Sequence, residues 1–191
     1  LRDVLKLATT AREARRIIGQ GRVLVDGKIC YDYKRQIGLM DVLSIPDMKL
    51  FFRAVPEPKR FMKLIEIPQQ ESSLKLVKIR GKRMVKGARI QLSSHDGRNF
   101  LVDPGDELAS AKINDSLLIQ VPGQKIIKLL RMEQGAIGLV MRGKEAGRLG
   151  RILEVGDLIK LEDLENPELT YLALPRNVLV VGVEEPEIKV R

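Results

Sequence analysis

Three arginines, Arg12, Arg15 and Arg16, lie within five residues of one another in a segment that favours a helix. Thr10 is a good N-cap, and Glu13 follows it at the spacing of a capping box. A guanidinium donates hydrogen bonds in a planar fork that matches the oxygens of a phosphate. Three such groups on one short helix indicate a polyanion as partner, with RNA as the main candidate; the alternative is a solvated charged face.

The residues around the arginines predict how they are held. At about 100° per residue, the apolar residues of the helix fall on a separate arc, so one side is buried and another presents the arginines. Gly19 or Gly21 can end the helix, and a short apolar strand over 23–25 leads into an Asp26-Gly27 hairpin turn. The cations that extend this basic surface are Arg2, Lys6, Arg22 and Lys28.

A second basic segment covers residues 75–89, where seven of fifteen residues are lysine or arginine and none is acidic. Such a concentration of charge repels itself unless a polyanion neutralises it. On a strand Lys75 would share a face with Val77 and Ile79, so the alternation of apolar and polar residues is imperfect. The alternative is a charged sheet edge that prevents aggregation. The candidate RNA contacts in this segment are Lys78, Arg80, Lys82, Arg83 and Lys86.

A glycine-rich stretch near the end of the chain combines a permissive backbone with positive charge. Gly143, Gly147 and Gly150 would let the chain turn tightly between two strands and bring backbone N–H groups close to phosphates. The alternative is a turn with a purely structural role. The cations around this turn, which complete the candidate contacts, are Arg142, Lys144 and Arg148.

Residues suited to catalysis or metal binding are scarce. His95 is the only histidine and Cys30 the only cysteine, so no disulfide within the chain and no cysteine zinc site can form. Asp96 and Asp103 are the nearby acids, and they do not make a catalytic constellation with His95. We expect His95 to be a hairpin-turn residue or an RNA contact. We expect no catalysis, no metal, no cofactor and no small-molecule substrate.

Composition and charge limit the classes of partner that the chain can bind. The chain has 191 residues, 44% hydrophobic and 31% charged, which is typical of a folded globular protein. The formal net charge of +9 favours nucleic acid or an anionic membrane surface. No apolar stretch is long enough to span a membrane, and no signal peptide is visible. Aromatic residues make up only 4%, which argues against binding of single strands by base stacking.

The charge is uneven along the chain. Residues 1–48 have nine lysines and arginines against six acids, residues 49–121 have fourteen against eight, and residues 122–191 have eleven against eleven. The first two-thirds should therefore face the phosphates.

Beyond the opening helices, short apolar runs between proline and glycine turns predict a multi-domain chain that is mostly β, with an N-terminal α+β module and small barrels after it. His95-Asp96-Gly97 and Pro122-Gly123 are each flanked by such runs and predict hairpins. Prolines and the change in charge set the domain boundaries. The expected domains are residues 1–47, 48–121 and 122–191.

The opening segment resembles the S4 RNA-binding domain. In that domain an arginine opens the first helix and a Thr/Ser-x-Arg-x-Ala pattern opens the second; here Arg2 and residues 10–14 (TAREA) hold these positions. The domain's Gly-x-Val-x-Val-Asn-Gly-Lys pattern is matched by residues 21–28 (GRVLVDGK), with Asp26 in place of asparagine.

Three later segments resemble, in the same order, the archaeal-eukaryotic S4e family of small-subunit ribosomal proteins. They are residues 38–45 (GLMDVLSI), residues 94–99 (SHDGRN) and residues 142–152 (RGKEAGRLGRI), the last similar to a KOW motif. Together with the S4 segment they span nearly the whole chain. The basic N-terminal extension of the family is missing, so we expect the natural protein to have residues before Leu1.

The resemblance implies a small two-helix S4 domain of the αL type, a central β domain specific to the family and a C-terminal SH3-like KOW barrel. It also implies a non-catalytic constituent of the small ribosomal subunit in the cytoplasm, with ribosomal RNA and neighbouring ribosomal proteins as partners. Gly147 stands where the KOW motif has its near-obligatory glycine.

Two alternatives remain open. One is an RNA-modifying enzyme that carries an S4 domain, such as a pseudouridine synthase. The other is a KOW-bearing transcription or translation factor that meets a protein partner through residues 122–191.

Overall fold

The computed structural model describes residues 1–58 and 60–191, and most of its regular structure is β. Helix α1 spans Ala11–Gly19. The first sheet consists of β1 (Leu24–Val25), β2 (Lys28–Ile29), β3 (Val42–Ile45), β4 (Leu50–Pro56) and β5 (Met62–Glu66). The second consists of β6 (Leu74–Met84), β7 (Ile90–Ser94), β8 (Asn99–Val102), β9 (Ser116–Gln120) and β10 (Lys125–Leu130). The third consists of β11 (Ile137–Val140), β12 (Leu149–Val155), β13 (Ile159–Asp163), β14 (Thr170–Ala173) and β15 (Val178–Gly182).

Helix α1 begins as its sequence predicts. The Thr10 hydroxyl accepts a hydrogen bond from the Glu13 N–H at 3.1 Å. The Glu13 carboxylate reaches back one residue further than in a standard capping box, to the Thr9 N–H at 2.8 Å. The helix ends before Gly21, whose φ of +73° lies in the left-handed region that glycine tolerates. The half-buried Ile17 and Ile18 pack against the core of the first sheet.

The first of the two expected helices is reduced to a single turn in the described residues. The Lys6 N–H donates to the Arg2 carbonyl at 3.2 Å, and the Leu7 N–H donates to the Leu1 carbonyl at 3.0 Å. Lys6 has a φ of +53°, which ends the turn because a left-handed residue cannot continue a right-handed helix. The α1 helix is therefore the one α-helix of residues 1–58 and 60–191.

The first sheet has the strand order β2-β1-β3-β4-β5. The predicted Asp26-Gly27 turn joins β1 to β2 with Val25 opposite Lys28, and both turn residues have positive φ, as a tight hairpin requires. The sheet continues past the domain boundary expected at residue 47. The reason is local: a short 3-10 helix, Pro46–Met48, joins β3 to β4 as neighbouring antiparallel strands.

The second sheet has the order β10-β9-β6-β7-β8 and contains both predicted hairpins. Strands β7 and β8 flank the turn at 95–97, and β9 and β10 flank the turn at 122–123. The centre of β6 is buried on both faces, because Leu76 belongs to one hydrophobic cluster and Val77 to another. This double burial explains the imperfect alternation of the β6 sequence.

The third sheet has the order β14-β13-β12-β11-β15. Four strands follow one another as an antiparallel meander, and β15 returns to pair with β11. Its inner face forms the largest hydrophobic cluster together with Leu76 and Leu118 of the second sheet. None of the helices in the described ranges is long and apolar enough to cross a bilayer.

Candidate nucleic-acid interface

The side chains of Arg12, Arg15 and Arg16 form the arginine face of α1. All three residues are exposed, and none makes an ion pair within residues 1–58 and 60–191. The acid nearest in sequence, Glu13, has its carboxylate occupied by the N–H and hydroxyl of Thr9. These bonds hold the pKa of Glu13 below its usual value. The arginine face is thus a set of fixed positive charges with free donors.

The four cations expected to extend this surface divide into two pairs. Lys6 and Lys28 are exposed, and their ammonium groups have no ion pair in the described structure. Arg2 pairs with Asp3 at 2.7 Å, and Arg22 lies 3.8 Å from Asp47. Exposed pairs of this kind contribute little to stability, so an RNA phosphate can compete for either arginine.

Only some cations of the basic segment in the second sheet are free to contact RNA. Arg80 and Lys86 are exposed, and their side chains make no hydrogen bond among the described residues. The Lys82 ammonium donates to the carbonyls of Ala109 and Ala111 at 2.6 and 3.0 Å. The Arg83 guanidinium donates to the Gln91 side-chain oxygen at 3.1 Å. Lys82 and Arg83 therefore brace the sheet while remaining at its surface.

Lys78 does not belong to this surface, and the expectation of an RNA contact there is wrong. It is 1% exposed, and its ammonium donates to the carbonyls of Asn114 at 3.2 Å, Pro175 at 2.9 Å and Val178. Burial lowers the pKa of Lys78 to about 7. Lys78 lies in the doubly buried centre of β6, where it ties the second sheet to the third.

The three cations of the glycine-rich turn between β11 and β12 differ in their contacts within the protein. Lys144 is exposed and has no ion pair within the described ranges. The Arg142 guanidinium lies 5.7 Å from the centre of the Phe61 ring. Arg148 pairs with Glu145 at 2.9 Å and with Asp163 at 3.2 Å, so it is partly neutralised within the protein.

The glycines of this stretch have definite steric roles. Gly143 and Gly147 have φ values of +103° and +84°. A Cβ at Gly147 would lie 2.8 Å from the Pro56 carbonyl oxygen, so this turn packs tightly against the end of β4. Gly150 lies within β12, where a Cβ would stand 2.8 Å from the Glu162 carbonyl oxygen. Neighbouring atoms therefore exclude a larger side chain at Gly147 and Gly150, whereas at Gly143 the positive φ alone favours glycine.

Sequence reasoning missed a buried charge cluster, which consists of Asp26, Asp41, Lys75, Asp96 and Arg98. The Lys75 ammonium is fully buried and lies 2.7 Å from Asp26, 2.5 Å from Asp41 and 2.9 Å from Asp96. Arg98 pairs with Asp26 at 2.8 Å and also with Asp96. The cluster joins the Asp26-Gly27 turn of the first sheet to the 95–97 turn of the second.

The charges of this cluster stabilise one another against the cost of burial. Burial alone would lower the pKa of Lys75, but the three carboxylates outweigh it and raise that pKa. Burial likewise opposes ionisation of Asp26 and Asp96, yet the nearby Lys75 and Arg98 hold both pKa values below the usual range. Asp26 is therefore more than a turn residue: its carboxylate also accepts the Val42 N–H at 2.9 Å.

A sequence signal for this cluster existed in β6. Lys75 shares a strand face with Val77 and Ile79, which are both fully buried. A lysine on such a face needs a buried acid as partner. Nothing in the spacing of Asp26, Asp41 and Asp96 identified them as those partners, because they come from turns far apart in the chain.

His95 holds the turn at 95–97 in place. Its Nδ1 accepts the backbone N–H of Lys78 at 3.0 Å, and its Nε2 lies 3.3 Å from the Leu39 carbonyl oxygen. Burial lowers the pKa of His95. A neutral ring that accepts at Nδ1 and donates at Nε2 fits both contacts. The described ranges contain no group of His, Cys, Asp or Glu side chains arranged to hold a metal ion.

Family models match two parts of the chain. Residues 3–43 match the S4 domain, and residues 48–126 match the ribosomal family S4e. Curated relatives cover the whole chain. The small ribosomal subunit protein eS4 of Korarchaeum cryptofilum is 57% identical over 191 residues, which is 100% of this chain and 80% of the relative. The protein of the same name from Saccharolobus islandicus is 39% identical, covering 100% of this chain and 82% of the relative.

A solved structure has the same fold. The crystal structure of the 30S ribosomal protein S4e from Thermoplasma acidophilum superposes with a TM-score of 0.79 at 32% identity. The match covers 95% of this chain and 91% of that one.

Proposed function

The chain belongs to the ribosomal family S4e, as its residues indicated, and from that premise we propose that it binds ribosomal RNA through its exposed arginines and lysines. It is a structural constituent of the small ribosomal subunit and not an enzyme. This removes the alternative of a pseudouridine synthase. Its place is on the ribosome, which we expect in the cytoplasm.

The arginine face of α1 carries this proposal. It lies within the stretch that matches the S4 domain, and its guanidiniums have no internal acid to neutralise them within the described ranges. Exposed guanidiniums on a regular helix can contact several phosphates of a folded RNA at once. Contacts to phosphate and sugar then position the protein by the shape of the RNA rather than by its bases.

The other cations contribute to RNA binding according to whether their side chains already have a partner within the protein. Lys6, Lys28, Arg80, Lys86 and Lys144 are exposed and have no ion pair within the described ranges, so they can add phosphate contacts. The remaining cations already contact a group within the protein, and they must give up that contact to bind a phosphate. They are Arg2, Arg22, Lys82, Arg83, Arg142 and Arg148.

The division of the chain into three units is also part of this proposal. We infer units at 1–47, 48–121 and 122–191, and the spans of the two family models support the first boundary. The first sheet then crosses the boundary at residue 47 and joins the S4 unit to the central unit, and the second sheet crosses the boundary at residue 121 because β10 pairs with β9. The return of β15 to β11 after a four-strand meander supports an SH3-like KOW barrel for the third unit. The single turn before α1 stands where the first S4 helix is expected.

Neighbouring ribosomal proteins are the second class of partner. The third sheet supports this because its edge strand β14 and the adjoining loops expose leucines: Leu164, Leu169, Leu172 and Leu174. Residues 122–191 also have equal numbers of cations and acids. An apolar surface on a unit without net charge suits a protein better than phosphates.

Reconstitution tests the proposal. The full chain is added to small-subunit particles that lack their own S4e protein, and the particles are sedimented through a gradient. We expect stoichiometric recovery of the chain with the small subunit, and competition by an archaeal small-subunit ribosomal RNA transcript but not by an unrelated RNA of equal length. Recovery that ignores both competitors, or no recovery at all, would contradict the proposal.

A further inference from the structure

Two exposed tyrosines lie beside the arginine face. The chain has three tyrosines; Tyr31 is 65% exposed and Tyr33 is 49% exposed. Both belong to the segment that follows β2. A tyrosine ring has a large apolar surface and a polar hydroxyl, which makes it a frequent contact residue at interfaces.

The segment that carries these rings is held in place. The Tyr31 ring packs on Gly21 at the end of α1, where a Cβ would lie 3.0 Å from the ring carbon Cε1. Between the two tyrosines, the Asp32 carboxylate accepts the Lys34 N–H at 2.8 Å, and the Asp32 carbonyl accepts the Cys30 thiol at 3.3 Å. The rings therefore have a defined position relative to α1.

Two cations lie beside the Tyr33 ring. The Arg15 guanidinium carbon lies 4.6 Å from the centre of the Tyr33 ring, and the Lys34 ammonium lies 5.8 Å from it. Donors for phosphate and aromatic surfaces for a base thus occur within one patch. The one acid in the segment, Asp32, already accepts a backbone N–H.

We propose that Tyr31 and Tyr33 form a stacking site for an unpaired base of the RNA whose phosphates contact the arginine face. The inference rests on the proposed function and adds a ligand class to it, namely a nucleotide outside the double-helical regions. Base stacking on aromatic rings is tolerant of sequence because every base has a π-face. The low aromatic content of the chain argues against stacking as a general mode, and it does not exclude one local site.

An apolar segment of a protein is the rival occupant, and charge disfavours it. Arg15 and Lys34 lie beside the Tyr33 ring, and Arg16 and Arg35, which follow them directly in sequence, are exposed. A protein that covered these rings would have to desolvate these cations or bring acids to pair with them. RNA supplies a ring and a phosphate in one nucleotide.

Paired substitutions test the site. Tyr31→Leu with Tyr33→Leu keeps apolar bulk and removes the aromatic faces, whereas Tyr31→Phe with Tyr33→Phe keeps the faces and removes the hydroxyls. Affinity for an archaeal small-subunit ribosomal RNA transcript is measured over a range of salt. We expect the leucine pair to bind about tenfold more weakly at every salt concentration, with the salt slope unchanged because no phosphate contact is lost. The phenylalanine pair should bind like the native chain.

Cross-linking provides an independent readout. Ultraviolet irradiation of the complex, followed by trypsin, should yield nucleotide adducts on the peptide of residues 29–34, which contains both tyrosines. Native affinity in a folded leucine pair, equal weakening in both pairs, or adducts only on other peptides would overturn the stacking site while leaving phosphate binding intact. Failure of the native chain to bind the transcript would instead refute the proposed function, and the stacking site with it.

Discussion

The arginine face of α1 and the buried Lys75 carry the same kind of charge in opposite surroundings. Arg12 and Arg16 are exposed and lack an acid partner within the described ranges, whereas Lys75 lies within 2.9 Å of three carboxylates. A buried cation without partners is prohibitively costly, and a buried cation that is enclosed by carboxylates has no charge to offer to RNA. Net charge therefore does not reveal which cations can bind RNA; the location of the acids does.

The two regions also depend on each other. The buried charge cluster joins the Asp26-Gly27 turn to the second sheet, and that turn follows the strand directly after α1. The internal cations thus hold the scaffold, while the external cations are available to the partner.

The largest expected effect is on stability, from Lys75→Ala. The change would leave three carboxylates near one another with Arg98 as the remaining cation. Removal of one partner from a buried ion pair costs about 3–5 kcal/mol, so we expect the free energy of unfolding to fall by about that amount. Denaturant titration followed by circular dichroism measures it.

Lys144→Ala is the matched control for this change, because Lys144 is exposed and unpaired in the described ranges. Its effect on the free energy of unfolding should stay within about 0.5 kcal/mol. Equal effects of the two substitutions would show that the buried cluster does not stabilise the fold.

The next effect is on RNA affinity, from Arg12→Glu with Arg16→Glu. Two phosphate contacts are lost and two repulsive charges are added, so we expect binding to weaken about a hundredfold or more while the thermal unfolding midpoint hardly changes. The control is Lys160→Glu with Arg176→Glu, which alters net charge equally on exposed positions of residues 122–191. A comparable loss in the control would mean that overall charge, and not the arginine face, decides affinity.

A smaller effect appears on acidification. The pKa values of Asp26 and Asp96 are lower in the folded protein than in the unfolded chain, so their contribution to stability is complete above the unfolded value of about 4 and is lost as pH falls through the folded values. We expect the urea midpoint to be steady from about pH 6 to 5 and to drop steadily below that. In Asp96→Asn the drop should be shallower, and a midpoint that stays constant down to pH 3 would contradict the cluster.

The smallest effect concerns Lys78→Met. The Lys78 ammonium is enclosed by backbone carbonyls, so RNA affinity per folded molecule should not change. Lys86→Met removes an exposed lysine from the same basic segment and should weaken binding a few-fold. Filter binding corrected for the folded fraction compares the two. A loss of affinity in Lys78→Met that matched or exceeded that of Lys86→Met would show that Lys78 contributes to RNA binding.

Local sequence signals predicted much of the fold. Thr10 caps α1, the Asp26-Gly27 turn joins β1 to β2, and the turns at 95–97 and 122–123 form hairpins. Each of these features depends on residues that are close in sequence, and their conformational preferences act without a distant partner. The sheet that crosses residue 47 was not predicted, because strand pairing depends on partners and not on composition.

The site was less predictable than the fold. The exposure of Arg12, Arg15 and Arg16 follows from helical periodicity, and it was predicted. The burial of Lys78 and the cluster around Lys75 depend on two cores that meet at β6, and one sequence does not reveal which strand is covered on both sides. The exposure of Tyr31 and Tyr33 could not be read from the aromatic content, because a percentage carries no information about position.

The most direct test is the salt dependence of RNA affinity for the native chain beside its Arg12→Glu with Arg16→Glu variant. Each phosphate contact adds about 0.7–0.9 to the slope of log affinity against log salt. We predict a steep slope for the native chain and a slope shallower by about 1.5 in the variant. A native slope near zero, or the same slope in both proteins, would contradict the claim that the arginine face neutralises RNA phosphates.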